Sequence, residues 1–210
     1  MGREFELKYM ASEEQLAAIE GAFESFHVIR METTYYDAPD GVLRALRWTL
    51  RRRMENGTSV CTLKTNLPDG SRGEWETACD DILEAVPRLI ALGAPDALAA
   101  HTARGVRPTC AARFTRKALT LPAENSTVEL ALDQGVLLGG SRELPFAEVE
   151  VELKQGADGD ALSFAQSLAR RFGLTPQPKS KLRRALDLAE STPDGRRAAT
   201  GFASADCQQS

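Results

Sequence analysis

The sequence has no apolar run near the roughly 18 residues that cross a bilayer, and its N-terminus lacks the basic start and apolar stretch of a signal peptide. It has only two histidines, which lie far apart and have no partner motif. Its four cysteines form no Cys-x-x-Cys pair, which argues against structural zinc and against a disulfide framework. The cysteines are Cys61, Cys79, Cys110 and Cys207. These absences predict a protein of the reducing cytoplasm without a membrane segment.

A strong excess of either charge is also missing. The 26 basic and 30 acidic residues give a net charge of -4, so a general nucleic-acid role has no electrostatic support. A length of 210 residues with 42% apolar residues is ordinary for one globular domain, or one domain plus an appendage. From Ser191 the chain is small, polar and poor in large apolar residues. We therefore expect a folded domain over 1–190 and a disordered tail over 191–210.

Apolar periodicity predicts strands interrupted by helices. Strands are expected near 3–10, 33–37, 44–54, 58–65, 72–79, 108–121, 126–134 and 145–154. Helices are expected to begin near Ser12, Asp80, Pro95, Asp160 and Lys179. Ser12 with Gln15 forms a capping box, Asn56-Gly57 is typical of a hairpin, and Pro87 marks a point where the second helix can kink or break.

Charged residues alternate with apolar residues along most of these strands. Residues two apart in a strand point to the same face, so Glu4, Glu6 and Lys8 share one face of the first strand. The other charged faces are Arg47-Thr49-Arg51-Arg53, Thr62-Lys64, Arg72-Glu74-Glu76, Glu129-Ala131-Asp133 and Glu148-Glu150-Glu152-Lys154.

One alternating strand can simply be the wet face of an antiparallel sheet. The whole set indicates more, because acids occupy some strands and arginines others. Like charges stacked along a strand repel unless opposite charge lies between them. A closed sheet would bring the two kinds of strand face to face, and so would polyvalent ligands: metal ions for the carboxylates and phosphates for the guanidinium groups. Phosphoryl transfer asks mainly for positioning and charge stabilisation, so no Ser or Cys nucleophile is required.

Several motifs together resemble one known family. Glu4-Phe5-Glu6-Leu7-Lys8 matches the ExExK signature of the CYTH superfamily, the triphosphate tunnel metalloenzymes. The motifs that follow in family order are Tyr35-Tyr36-Asp37, Leu50-Arg51-Arg52-Arg53, Leu63-Lys64-Thr65, Arg72-Gly73-Glu74-Trp75-Glu76, Leu132-Asp133-Gln134-Gly135, Phe146-Ala147-Glu148-Val149-Glu150 and Ser180-Lys181-Leu182. The resemblance covers about residues 3–190.

The resemblance implies an α+β fold: an eight-stranded antiparallel β-barrel that forms a triphosphate tunnel, with flanking helices. Members bind triphosphate compounds with Mg²⁺ or Mn²⁺. By matched motif, the metal-side carboxylates would be Glu4, Glu6, Glu74, Glu76, Asp133, Glu148 and Glu150. The substrate-binding residues would be Lys8, Arg51, Arg53, Lys64, Arg72, Arg113 and Lys181. Glu4, Glu6, Lys8 and Lys64 would be catalytic. Arg116 is the alternative to Arg113, and Glu152 is the candidate for a structural ion pair only.

The opening strand and residues 130–135 and 146–153 look most like bacterial inorganic triphosphatases. That resemblance implies metal-dependent hydrolysis of tripolyphosphate to pyrophosphate and phosphate by a monomer or homodimer whose partner is a small-molecule triphosphate, with no nucleic acid or membrane. Such proteins often carry a C-terminal helical CHAD domain, which is missing here, so the chain is either a stand-alone enzyme or a fragment.

Two other enzymes would use a similar charged tunnel. Thiamine triphosphatase would need a site for an organic head group, and class IV adenylate cyclase would need an adenine pocket. A polyphosphate-binding module would bind tightly without turnover. The binding module is disfavoured because the acidic set accompanies the basic one.

Overall fold

The computed structural model describes residues 2–3, 5–66 and 72–191, with the side chains of residues 2 and 3 left out. The predicted site residue Glu4, the turn at 67–70, Cys207 and nearly all of the predicted tail lie outside the described residues. The strands are β1 (Gly2–Arg3), β2 (Glu6–Met10), β3 (His27–Asp37), β4 (Thr49–Glu55), β5 (Thr58–Asn66), β6 (Arg72–Ala78), β7 (Arg107–Ala123), β8 (Ser126–Gly139), β9 (Arg142–Gln155) and β10 (Thr175–Pro176). The helices are α1 (Glu13–Ala22), α2 (Val42–Ala45), α3 (Ile82–Ala91), α4 (Ala97–Thr102), α5 (Asp158–Phe172) and α6 (Lys181–Glu190).

All the strands join one antiparallel sheet in the order β1-β6-β5-β4-β3-β7-β8-β9-β2-β10. The predicted α+β class, with an antiparallel sheet and flanking helices, is confirmed. The prediction of eight strands differs from the ten observed, because the N-terminal segment is divided into β1 and β2 and because β10 adds a two-residue pair at the edge.

The N-terminal segment determines how this sheet curves. Gly2 pairs with Glu74 on β6, whereas Glu6, only a few residues later, pairs with Glu152 on β9. The hydrogen-bonded order is open, since β1 at one end of the order does not pair with β2 or β10 at the other. However, β1 and β2 are consecutive in the chain. Because β1 pairs with β6 and β2 pairs with β9, strands β6 and β9 lie close together around one cavity.

Two apolar clusters attach helices to the outer face of the sheet, and a third attaches α6 to the face that lines the cavity. The first places α1 and α5 against β8 and β9 through residues such as Ile19, Val151 and Ala165. The second places α3 and α4 against β5 and β6 around Leu63 and Leu89. The third, defined in the next subsection, holds α6. Burial of these faces supplies the main stabilising free energy, at about 25 cal/mol per Å² of apolar surface.

Local sequence signals explain most element ends. Ser12 and Gln15 make the predicted capping box, and the Asn56-Gly57 turn has positive φ at both residues (49° and 93°), as a tight two-residue hairpin requires. Pro87 does not break α3, which runs from the Asp81 cap to Ala91.

Two helix starts were predicted in the wrong place. Helix α5 begins at Asp158 rather than being capped by Asp160, whose carboxylate accepts a hydrogen bond from the Ser126 hydroxyl. Helix α6 begins after Ser180, whose side chain accepts from the Arg183 N–H. The N-cap residue of α5, Ala157, makes no side-chain capping hydrogen bond, whereas Ser180 caps α6.

The prediction of a strand from residue 44 was also wrong. Residues 42–45 form α2, because the Asp37 carboxylate accepts hydrogen bonds from the backbone N–H groups of Leu43 (3.0 Å) and Ala38 (2.8 Å). Arg47 then has φ of 58°, outside the strand, so it does not share a strand face with Arg51 and Arg53.

Along the described residues, no helix combines the length and apolarity that crossing a membrane would need. Cys61, Cys79 and Cys110 are buried free thiols. Burial raises the pKa of Cys61 and of Cys110 to about 11, so both are protonated at neutral pH.

We expect Gly139→Ala to lower the free energy of unfolding by about 1–3 kcal/mol, the usual cost of overpacking. A methyl group at Gly139 would lie 2.4 Å from the Ala185 carbonyl oxygen and 2.7 Å from the Ala189 nitrogen, so α6 would have to move away from β8. Urea unfolding measures the change. The control is Gly21→Ala in α1, where nothing lies within 4 Å and helix propensity predicts a gain of about 0.5–1 kcal/mol. Equal effects of the two changes would contradict this packing.

Candidate functional site

A cavity of about 300 Å³ lies inside the curved sheet, lined by residues of β2 to β9 and of α6. The predicted site residues that line it are Glu6, Lys8, Arg51, Arg53, Lys64, Arg72, Glu74, Glu76, Glu150 and Lys181. Asp133 and Glu148 lie directly behind this lining and are fully buried. We call this space the tunnel cavity.

One wall of the tunnel cavity is basic. The Lys64 Nζ lies 3.1 Å from Glu74 Oε1, and the Arg53 Nη2 lies 3.5 Å from Glu76 Oε1. Glu76 also accepts a hydrogen bond of 2.8 Å from the Thr62 hydroxyl. Burial raises the pKa of Glu76, but Arg53 and the Thr62 hydrogen bond outweigh burial, and the pKa ends below its ordinary value. Glu74 and Glu76 therefore stand among the cations as their charge partners.

The basic wall keeps unused hydrogen-bonding capacity. The Arg51 Nε is buried and has no hydrogen-bond partner among the described residues. Burial lowers the pKa of Arg53, and neighbouring Arg51 lowers it further. A buried donor without a partner costs free energy, and cations forced together repel. An anion with several oxygens would relieve both.

The opposite wall contains three carboxylates, Asp133, Glu148 and Glu150, with ligand oxygens all within 4.8 Å of one another. Register explains the contact, because Asp133 of β8 lies opposite Glu148 of β9 and Ala131 lies opposite Glu150. Three cations neutralise them: Arg116, Lys181 and Arg184. We call these six residues the buried charge cluster.

Lys181 is the centre of the buried charge cluster. Its Nζ lies 2.7 Å from Asp133 Oδ2 and 2.8 Å from Glu150 Oε1, and it also contacts Glu148 Oε1. Burial lowers the pKa of Lys181, but the three carboxylates outweigh burial and raise it well above the ordinary value. Lys181 is therefore charged at any physiological pH.

Aromatic rings support the cations from behind. The Lys181 Nζ lies 5.0 Å from the Phe114 ring centroid and 5.5 Å from that of Phe146, which also lies 5.3 Å from the Arg184 guanidinium carbon. These distances suit cation–π attraction. Together with Leu182 and Ala185, the two rings form the third apolar cluster, which holds α6 on the sheet.

Arg116, not Arg113, is the inward arginine of β7. Its Nε and Nη2 lie 2.8 and 2.7 Å from the two oxygens of Asp133, and Nη2 also contacts Glu150. Arg113 is 54% exposed and bonds to Glu143 on the outer surface at 3.1 Å, so choosing it was wrong. The reason is strand alternation, because Phe114 and Arg116 lie on the face that points into the tunnel cavity.

The carboxylates of this wall differ in acidity. Burial raises the pKa of Glu150, but Lys181 and Arg116 outweigh it, helped by a contact with Glu6, and the pKa falls well below its ordinary value. For Glu148, burial has the largest effect and the net pKa is raised. Glu150 is therefore a fixed anion beside Glu6 at the cavity surface.

The donor chemistry fits a hard divalent cation, since carboxylate oxygens are what Mg²⁺ and Mn²⁺ prefer. Asp133 and Glu148 pair with protein cations and are buried behind the cavity lining, whereas Glu150 pairs with Arg116 and Lys181 but still reaches the cavity. Glu6 and Glu150 face the tunnel cavity and contact each other, so they are the carboxylates best able to share an ion with a ligand there.

Three features of the site were not predicted or were left open. Arg184 was missed, although it follows Lys181 by one helical turn and therefore points to the same side of α6. Tyr35, for which the sequence predicted no role, lines the tunnel cavity. Glu152, a candidate for a structural ion pair, lines the tunnel cavity and forms an ion pair with the Lys154 Nζ at 2.9 Å.

Comparison with known proteins places the chain in a family. The family described as the CYTH domain matches residues 2–186. An inorganic triphosphatase of Haemophilus influenzae is 31% identical over 137 residues, which cover 64% of this chain and 39% of that protein. The chain thus spans about two fifths of the length of this relative.

Solved structures share the fold at low identity. A protein of Hippeastrum, a proposed adenylyl cyclase with a dominant triphosphatase activity, matches with a TM-score of 0.64 and 16% identity over 91% of this chain and 98% of that chain. A protein of Pyrococcus horikoshii matches with a TM-score of 0.60 and 21% identity over 88% and 99%. At such identities the likeness concerns the fold alone.

We expect Lys181→Met to lower the free energy of unfolding at pH 7 by about 3–5 kcal/mol, because three buried carboxylates lose their shared cation. Without that cation their folded-state pKa values rise, so the carboxyl groups can protonate as the pH falls. A raised folded pKa stabilises the fold at low pH. The deficit should therefore shrink below about pH 5, as measured by urea unfolding across pH.

The matched control is Lys179→Met, two residues earlier. Lys179 is 58% exposed and bonds to Asp187 at the surface, so its loss should cost about 1 kcal/mol or less at every pH. A Lys181 variant that behaves like this control would contradict the buried charge cluster.

Proposed function

The chain belongs to the CYTH domain family, and on this basis we propose that it is a metal-dependent triphosphatase that hydrolyses tripolyphosphate to pyrophosphate and phosphate. The similarity to an inorganic triphosphatase supports this choice of substrate. The proposed ligands are a small-molecule triphosphate and Mg²⁺ or Mn²⁺.

The observation that carries the proposal is the two-sided tunnel cavity. Arg51, Arg53 and Lys64 face it from one wall and Glu6 and Glu150 from the other. Guanidinium groups bind phosphate oxygens through paired N–H donors, and the unpaired Arg51 Nε is available for such a bond. A chain of phosphates would place its oxygens on the basic wall and, through a cation, on the acidic one.

Glu6 and Glu150 would hold the metal, with Asp133 and Glu148 behind them. When bound, a divalent metal supplies Lewis-acid polarisation of phosphate oxygens and lowers the pKa of a coordinated water.

The protein's own residues do the positioning. Lys8, Arg51 and Arg53 would bind and orient the phosphates, and Lys64 would add positive charge where charge develops on the leaving group. Glu74 and Glu76 hold those cations in place through their ion pairs. Arg116 and Lys181 keep Glu150 ionised, so that it stays a ligand rather than becoming a proton donor.

The test is a phosphate-release screen with tripolyphosphate, ATP and thiamine triphosphate, each with Mg²⁺, Mn²⁺ or a chelator. We expect tripolyphosphate to be the best substrate by kcat/KM, and only with metal. Conversion of ATP to cyclic AMP without turnover of tripolyphosphate would instead assign the chain to the cyclases. Tight tripolyphosphate binding without any turnover would make it a binding module.

Glu150→Gln should lower metal-dependent kcat on the order of 100-fold, because the amide keeps the shape and removes the charge at the proposed metal. A metal titration of activity should shift to higher concentration. Circular dichroism and urea unfolding establish that the variant remains folded.

Two comparison variants sharpen this result. Arg51→Gln should act mainly on KM, since it removes a phosphate contact and leaves the acidic wall intact. Glu143→Gln, on the outer surface, should change neither constant. Near-normal turnover of Glu150→Gln would show that the metal is held elsewhere.

A further inference from the structure

A second cavity of about 900 Å³ opens beside the tunnel cavity, between α2, the start of β4 and α6. The two cavities share six lining residues: Lys8, Tyr35, Thr49, Arg72, Ser180 and Leu182. A ligand in the tunnel cavity could therefore extend into the second one without leaving the protein surface. We call the second cavity the vestibule.

The vestibule has a marked excess of positive charge. Besides Lys8 and Arg72, it is lined by Arg44, Arg47, Arg107, Lys179 and Arg183, against two carboxylates. Of these, Asp37 is occupied by the backbone N–H groups of α2 and its flank, and Glu190 pairs with Arg44. Lys179 and Arg183 share Asp187.

Two arginines of the vestibule carry charge that the protein leaves uncompensated. Arg47 and Arg107 are exposed, and neither guanidinium has a hydrogen-bond or ion-pair partner within the described part of the chain. Arg47 also has φ of 58°, which non-glycine residues rarely adopt. Hydrogen bonds from the Arg47 N–H to Arg44 O (3.0 Å) and from the Trp48 N–H to Leu43 O (2.8 Å) hold this turn. Positive φ at a non-glycine residue costs free energy, and such residues cluster at ligand-binding sites.

Two aromatic side chains, Tyr36 and Trp48, also line the vestibule. The Trp48 ring packs edge-on against His101 of α4, with 5.6 Å between centroids. The excess of positive charge in the vestibule favours an anionic ligand.

We propose that the vestibule binds further phosphate groups of a linear polyphosphate whose terminal three lie in the tunnel cavity. This inference rests on the proposed function, because it extends the same substrate. Arg47 and Arg107 would contact the additional phosphates, and tripolyphosphate would be too short to reach them.

The test compares tripolyphosphate with a linear polyphosphate of about ten phosphates, using the double variant Arg47→Gln/Arg107→Gln. Glutamine keeps much of each stem and removes the charge. We expect KM for the longer chain to rise about tenfold, equivalent to about 1.4 kcal/mol, while KM for tripolyphosphate stays within about twofold. Calorimetric binding of the longer chain in the presence of chelator should weaken to a similar extent.

The matched control is Arg170→Gln/Arg171→Gln, which removes the same charge from α5, away from both cavities. Equal effects of both double variants would show a general electrostatic effect and overturn the proposal. So would a vestibule variant that weakens ATP but not the longer polyphosphate, since the vestibule would then serve an organic head group. Loss of tripolyphosphate turnover in the wild type would instead refute the proposed function, and the calorimetric comparison would still decide the polyphosphate contact.

Discussion

The architecture depends on neutralising three carboxylates inside a sheet. Asp133, Glu148 and Glu150 come from two adjacent strands, and an uncompensated charge at such depth would cost several kcal/mol. Arg116 supplies one counter-charge from β7, and α6 supplies two. Helix α6 is therefore more than a cover over apolar surface, because its first turn completes the electrostatics of the sheet that it packs on. The Phe114 and Phe146 rings lie beside the Lys181 ammonium group, so the contact between α6 and the sheet combines apolar packing with ion pairs.

The balance between the two walls has a chemical meaning. On the basic wall, Glu74 and Glu76 hold the cations without cancelling all of them, so phosphate-binding capacity remains. On the acidic wall, most negative charge is matched by protein cations, and Glu6 with Glu150 is the part that faces the tunnel cavity. The six described carboxylates of the set grouped by the family resemblance thus divide into metal candidates, cation partners and a buried ion network. Strand periodicity alone cannot make that division.

How much the sequence predicts can be argued residue by residue. Alternation grouped Arg51 with Arg53 on one strand face and Lys64 with Thr62 on another, and these faces line the tunnel cavity, whereas Lys181 was placed there by its resemblance to the family motif. It failed for Arg113, since Arg113 and Arg116 both lie in a long polar strand and the choice depends on which residues β8 presents opposite them. Alternation also failed at residues 42–47. There the Asp37 carboxylate caps the short helix α2, and the alternation of charged and apolar residues does not show such a cap. The distances between charged groups in the buried charge cluster depend on how β8 and β9 are aligned. That register cannot be predicted from composition or from the spacing of residues within one strand.

The divided N-terminal segment also has a consequence for biosynthesis. Glu6 finds its partner Glu152 only after most of the chain has been made, and β1 meanwhile can pair only with β6. At roughly 5–20 residues per second, a ribosome needs on the order of ten seconds to supply β9. During that interval the nascent chain carries an unpaired β2 edge, which another polypeptide could occupy. The strand β2 is thus among the first strands of the domain to be made and among the last to reach its final pairing.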